Sequence, residues 1–260
     1  MVSRDQTAPA FLRLAANPLR WRLLTALAAG DHRVRELVDL LGQPQNLISY
    51  HLRLLRRSGL VTARRSSFDG RDSYYHLDLE RCAHALTDAG VALHPALRLN
   101  PAPPPPLAAE QAHPRVLFAC TGNSARSPIA EALLLHRSGG RVEVTSAGSH
   151  PKPRINPHAV RVLREHYGID IADQLPRHLD TVPRHRVDHV ISLCDKVREV
   201  IAESGDHPRP THWSIPDPAA VNDNDQAGRP AFKHTAAEID TRIRYLLPVL
   251  ARATNPEIRP

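Results

Sequence analysis

Seven of the twenty residues between positions 95 and 114 are proline. That stretch, PALRLNPAPPPPLAAEQAHP, limits the fold more than any other. It has no apolar face to bury and lacks N–H donors where helix or sheet would need them, so it reads as an extended, solvated linker. The 260 residues then divide into an N-terminal domain, 1–94, the linker, 95–114, and a C-terminal domain, 115–260. That division agrees with the domain number the length allows. A hydrophobic fraction of 42% excludes a disordered chain. No apolar run approaches the roughly 18 residues a membrane-spanning helix needs. The N-terminus lacks the apolar stretch and cleavage site of a secretory signal. Three cysteines exclude a disulfide framework and point to a reducing, cytoplasmic setting. Of the 34 basic residues, only Lys152, Lys196 and Lys233 are lysine, a skew that lowers the weight of any single arginine. The net charge of +7 permits a polyanionic partner without requiring one.

The N-terminal domain reads as helices followed by a hairpin. Asn17-Pro18 is an N-cap with proline at the first helical position, and Gly30 closes that helix. Residues 33–42 form a second helix ending at Gly42. Pro44 opens a third, in which Leu47, Ile48, Leu52 and Leu55 recur at helical spacing. Gln45, Asn46, Ser49, Tyr50 and Arg53 are left for the other face. Two β-prone runs, 60–64 and 72–79, flank Asp69-Gly70, a hairpin turn signal, and a last helix covers 79–93. Two short helices, a tight turn and a basic hairpin make an α+β winged helix-turn-helix. Asn, Gln and Arg on the polar face can read base edges, and arginines of the helix end and wing, Arg64 and Arg65 among them, can meet phosphates.

The run ISYHLRLLRRSGLVTARR and the wing after it resemble the ArsR family of bacterial repressors over residues 8–94. The resemblance implies a homodimer that binds a palindromic operator and releases it when a metal or metalloid binds. Arsenic-sensing members carry a cysteine pair on the helix before the recognition helix, and residues 33–42 have none. Cys82, with His84 nearby, is the only thiol of the domain. As a single thiolate it is a poor As(III) site, and it reads as a small buried hydrophobe. No metal site is expected.

In the C-terminal domain a short apolar strand, 115–119, runs into Cys120-Thr121-Gly122-Asn123-Ser124-Ala125-Arg126-Ser127 and then a helix with Pro128 at its start. A bare C-x5-R pair is weak, but strand, loop and helix N-terminus together form a cradle of N–H groups for a tetrahedral oxyanion. Gly122 is expected to relieve the tight backbone. Arg126 offers a planar fork to two oxygens, Cys120 lies at the centre as a thiolate nucleophile, Ser127 donates to it, and Asn123 braces the loop. In HWSIPDPA, Asp217 follows a strand end, where an α/β sheet places ligand groups, and can protonate a leaving oxygen. The remaining segments alternate β and α, predicting a parallel sheet covered on both faces.

CTGNSARS, AEALL, SAGS, NPHAV, GIDI and HWSIPDPA resemble the low-molecular-weight tyrosine phosphatase fold and, within it, the arsenate reductases. The resemblance implies Cys120 as nucleophile, Arg126 as oxyanion binder and Asp217 as acid. Thioredoxin-coupled reductases have two further cysteines. Cys194 matches the first and the second is absent. Cys194 is thus either a resolving thiol or a buried residue, and an external thiol of the mycothiol, glutathione or glutaredoxin type is the expected co-substrate, with no bound cofactor. Asn123, Glu131 and Ser146 match a potassium site of some relatives, but Arg177 stands where an acidic ligand is expected. The sequence therefore suggests a repressor fused to an arsenate reductase. A tyrosine phosphatase domain fused to a repressor, or a non-catalytic oxyanion-sensing repressor, remain as alternatives.

Overall fold

The computed structural model describes residues 7–97, 114–183, 187–203, 210–220 and 225–253. Residues 98–113, most of the expected linker, lie outside that set. The chain forms two compact units, Met1–Pro103 and Pro104–Pro260.

The N-terminal unit runs α1 (Ala10–Ala15), α2 (Pro18–Ala29), β1 (His32–Arg33), α3 (Val34–Leu41), α4 (Gln45–Arg57), β2 (Val61–Arg65), β3 (Ser73–Leu77) and α5 (Leu79–Leu93). Local chemistry sets its boundaries. Asn17 accepts from the Arg20 N–H at 3.1 Å to cap α2. Gly42, with φ of 63°, ends α3 in the left-handed conformation that glycine adopts without strain. The Asp78 carboxylate accepts from the Arg81 N–H and opens α5. The core gathers Leu23, Leu27, Leu37, Ile48, Leu52 and Leu55. Leu47, expected among them, is exposed, and His51 occupies the inward position instead. The hairpin β2–β3 turns at Asp69-Gly70, where Asp69 accepts from the Arg71 N–H at 3.0 Å. Two features escaped the sequence pattern. One is the six-residue α1. The other is β1, two residues that add an edge antiparallel to β3 and are too short for any period to register.

The C-terminal unit runs β4 (Arg115–Cys120), α6 (Arg126–Ser138), β5 (Glu143–Gly148), α7 (Pro157–Tyr167), β6 (His189–Ser192), α8 (Asp195–Glu203), β7 (Thr211–His212) and α9 (Asp225–Ala253). Its sheet is parallel, in the order β5-β4-β6-β7. The chain leaves β4 for one neighbour and returns to the other, so the loops after β4 and β6 diverge and open a crevice at their carboxyl ends. β4 is buried from Val116 onward, and its near-continuous apolar run is what a sheet covered on both faces requires. α6 and α7 pack on α9. α9 includes Pro230 and Pro248. Near Pro230 the helix is anchored by Arg229, which donates to Glu165 of α7 at 2.7 Å. In β7 only Thr211 and His212 pair, and residues 213–217 leave the sheet to carry Asp217. Among the described residues no helix is long and apolar enough to cross a membrane.

Candidate functional site: an anion cradle around a cysteine thiol

Residues 120–126 wrap from the end of β4 to the start of α6. The backbone carbonyls of this loop are turned outward. Those of Cys120, Thr121, Gly122 and Ser124 accept from the N–H groups of Ser149 (3.3 Å), His150 (2.8 Å), Lys152 (2.9 Å) and Asn156 (2.8 Å). With those carbonyls outward, the N–H groups of Thr121, Gly122, Asn123 and Ala125 face the other side of their planar peptides, and among the described residues none of them donates to a protein group. Buried N–H groups demand acceptors. A ring of them around one thiol is a site for an oxyanion.

The tight geometry falls on other residues than the sequence indicated. Gly122 has no left-handed φ, and a Cβ there would meet only ordinary contacts. The left-handed residue is Asn123, with φ of 41°, and asparagine is among the side-chain-bearing residues that tolerate that region best. The indispensable glycine is Gly148, at the end of β5. A Cβ on it would lie 2.6 Å from the Thr121 carbonyl oxygen and 2.9 Å from the Asn123 nitrogen. Its only sequence signal was a glycine at the end of a strand, in SAGS.

A hydrogen-bond relay runs beneath the loop. Glu131 is buried and accepts from Ser146 Oγ at 2.5 Å. The Asn123 amide donates to Ser146 Oγ at 2.8 Å and to Ser127 Oγ at 2.9 Å. Ser127 Oγ lies 3.0 Å from Cys120 Sγ. Asn123 spends both amide hydrogens on the two hydroxyls, and the hydrogen of Ser146 goes to the carboxylate. The hydrogen of Ser127 is then left for the sulfur. Burial pushes the Glu131 carboxyl up, offset by the Ser146 hydrogen bond and by Arg177. Arg177 places Nη2 3.5 Å from Glu131, and its N–H donates to Asn123 Oδ1 at 2.7 Å. The residues matching a potassium site therefore do not fit that ion. A tethered guanidinium already faces the carboxylate, and the Asn123 oxygen is already taken.

Arg126 is buried at the opening of α6. Its Nη2 is 3.0 Å from Asp217, and its Nη1 donates to the Ile215 carbonyl at 3.1 Å. The fork is thus partly engaged by the acid loop, while Nε is buried without a protein acceptor. Asp217 is half exposed at the rim. Cys194, at the end of β6, is buried with Sγ 3.3 Å from Thr121 Oγ1. Trp213 packs inward on Phe118, with ring centroids 5.8 Å apart, and does not form a wall of the cradle.

In the N-terminal unit, Gln45, Asn46, Tyr50 and Arg53 of α4 are exposed, and Ser49 is half-buried beside them. Arg65 is exposed on the wing and donates to the Gly70 carbonyl at 2.9 Å, while Arg64 is half-buried. Burial, with the charge of Asp78, pushes the Cys82 thiol up to about 11. The side chain is partly buried against the apolar core of the unit, as suits a packing residue.

The C-terminal unit is an α/β fold in which a cysteine thiol lies at the floor of an N–H cradle, with a buried arginine and an acid at its rim. The chain belongs to the low molecular weight phosphotyrosine protein phosphatase family, whose model matches residues 115–255. Residues 17–63 match the model of the bacterial regulatory protein, arsR family. An arsenate reductase of Bacillus licheniformis is 34% identical over 129 residues, 50% of this chain and 91% of that protein. One of Brevibacillus brevis is 35% identical over 129 residues, 50% of this chain and 90% of that protein. The crystal structure of a low molecular weight protein tyrosine phosphatase from T. tengcongensis aligns with a TM-score of 0.45 at 28% identity, covering 51% of this chain and 97% of that one.

Proposed function

We propose that the protein is a DNA-binding regulator and an arsenate reductase in one chain. The observation that supports the chemistry is the inward ring of N–H groups around Cys120, with the buried Arg126 Nε aimed at no protein acceptor. The choice of arsenate rests on the relatives named arsenate reductase. Arsenate enters the cradle as a tetrahedral oxyanion held by the N–H groups of residues 121–127 and by Arg126. Cys120 Sγ attacks arsenic, an As–O bond breaks, and Asp217 passes a proton to the departing oxygen, which leaves as water. An external small thiol then supplies the electrons that reduce As(V) to As(III). Cys194, 3.3 Å from Thr121 Oγ1, allows an alternative route in which that thiol attacks the adduct first and an external thiol must then reach the buried disulfide that results.

The same cradle would cleave a phosphate ester, so the deciding assay runs both reactions. We expect arsenite from arsenate with glutathione, mycothiol or a glutaredoxin system, little with thioredoxin, and no arsenite from Cys120→Ser. Rapid hydrolysis of phosphotyrosine with no arsenite under any thiol would replace this reading by the phosphatase. The exposed faces of α4 and the wing would bind a palindromic operator as a homodimer. A gel shift on the chain's own upstream DNA tests that part.

A further inference from the structure

Beside the cradle the structure has a groove of about 430 Å³ whose lining includes Ser124, Lys152, Arg154, Asn156, His158 and Arg161. No carboxylate is among the described residues that line it. Ser124 belongs to both the loop and the groove. Lys152 ties them together: its N–H holds the Gly122 carbonyl, and its side chain lies 3.4 Å from where a Gly122 Cβ would be. Lys152, Arg154 and Arg161 are exposed. Among the described residues neither Lys152 nor Arg154 has an acidic partner. α7 also opens here, with Asn156 as its N-cap and Pro157 at its first position, adding the positive end of a helix dipole.

Phosphate or arsenate fills the cradle and has no use for this second volume. Its size suits a molecule of tripeptide dimensions. From these features we infer that the groove is the subsite for a carboxylate-bearing low-molecular-weight thiol, the co-substrate of the reductase, an inference that rests on the function proposed above. The carboxylates bind Lys152, Arg154, Arg161 and the α7 N-terminus, and the sulfur reaches over Ser124 to arsenic. The thiolate displaces an oxygen from the Cys120–arsenic adduct as water. The two sulfurs on arsenic then join as a disulfide, both S–As bonds break, and one electron pair stays on arsenic. As(V) becomes As(III) and leaves as arsenite, while the two thiols are oxidised to a mixed disulfide. A second thiol of the same class reduces that disulfide and frees Cys120.

The test uses the full chain, with S-methylglutathione as a probe that keeps both carboxylates and cannot react. Calorimetry should show saturable binding that weakens with salt and falls about tenfold or more in Lys152→Glu/Arg154→Glu. In the same proteins, kcat/KM for arsenite formation should favour glutathione over its diethyl ester, which lacks both carboxylates, about tenfold in the wild type, and the ratio should fall towards one in the variant. Arg154→Glu alone, at an exposed position, gives a milder change in the same direction if the double variant is unstable. Equal probe binding in wild type and variants overturns the inference, as does a glutathione-to-ester ratio that the variants leave unchanged. Weaker hydrolysis of an acidic phosphotyrosine peptide with probe binding unchanged also overturns it and reassigns the groove to a peptide. Probe binding that the variants abolish, in a protein that makes no arsenite, keeps the anionic subsite and refutes arsenate reduction instead.

Discussion

The Ser127 hydroxyl lies 3.0 Å from Cys120 Sγ, and the Asn123 amide donates to that same oxygen at 2.9 Å. The arrangement leaves the hydroxyl hydrogen for the sulfur, so Ser127 acts on the charged form of the nucleophile. A hydrogen bond to a charged group contributes about 1.5–3 kcal/mol. Ser127→Ala should therefore slow both alkylation of Cys120 by iodoacetamide at pH 7 and arsenate reduction by about tenfold or more. Unchanged alkylation would remove Ser127 from the mechanism. Ser127→Thr, which keeps the hydroxyl, should retain most of the reactivity.

Gly148 gives a structural test of the same loop. A methyl group there has backbone atoms of Thr121 and Asn123 inside 3.0 Å, and neither is the end of a flexible side chain. Gly148→Ala should destabilise the C-terminal unit by about 1–3 kcal/mol and abolish oxyanion binding, with helix content preserved. Thermal unfolding monitored by circular dichroism, alongside phosphate binding, checks both parts.

How much of this was legible in the sequence differs from residue to residue. Cys120, Arg126 and the strand-loop-helix around them announce themselves, because a fixed spacing, a strand before and Pro128 after all agree. The N-cap at Asn17 and the turn at Gly70 were legible because one side chain or one glycine decides each. Gly148 was not, since its role depends on the close approach of a loop 25 residues earlier in the chain. The outward turning of the loop carbonyls was equally hidden, as their donors come from residues 149–156. Leu47 turns outward and His51 inward in α4 because both flank the apolar stripe, and only packing against α2 and α3 determines which one is buried.

Arg177 carries a pH prediction. Burial raises the Glu131 carboxyl and Arg177 opposes that rise. A carboxyl raised in the folded state contributes stability that is fully present below its unfolded value, about 4.3, and lost as pH rises through the folded value. Arg177→Gln takes away the opposing cation, so the folded value climbs further and the loss extends to higher pH. Wild type and variant should melt alike near pH 4, and by pH 7 the variant should melt about 2–4 °C lower. A melting difference independent of pH would show that the guanidinium contributes by packing alone.

On the N-terminal unit, the exposed Arg53 of α4 and Arg65 of the wing make a direct electrostatic test. If each neutralises one phosphate, Arg53→Ala/Arg65→Ala in the full chain should lower affinity for all DNA sequences. The slope of log K against log salt should then flatten by about two. Asn46→Ala, on the same face, should instead relax preference between operator and random DNA. If the double arginine variant keeps the wild-type salt slope, those two side chains do not meet the backbone.

The route of the electrons is decided at Cys194. Its sulfur is buried 3.3 Å from Thr121 Oγ1, beside the nucleophile's own neighbour, so the chain has a second thiol at the loop. A Cys120–Cys194 disulfide would be buried, and without a third cysteine to carry it to the surface an external thiol reaches it slowly. Cys82, the remaining cysteine, lies in the other unit and is protonated at neutral pH. Attack by an external small thiol avoids that burial, because the co-substrate enters through the open mouth of the cradle and departs with its own sulfur. Cys194→Ser should therefore turn over within about threefold of wild type when glutathione is supplied. Wild type treated with arsenate and no thiol should lose one titratable thiol, at Cys120. Mass spectrometry of the quenched protein distinguishes the routes: a 120–194 disulfide as the dominant product, with Cys194→Ser inactive under every small thiol, would establish the intramolecular route instead.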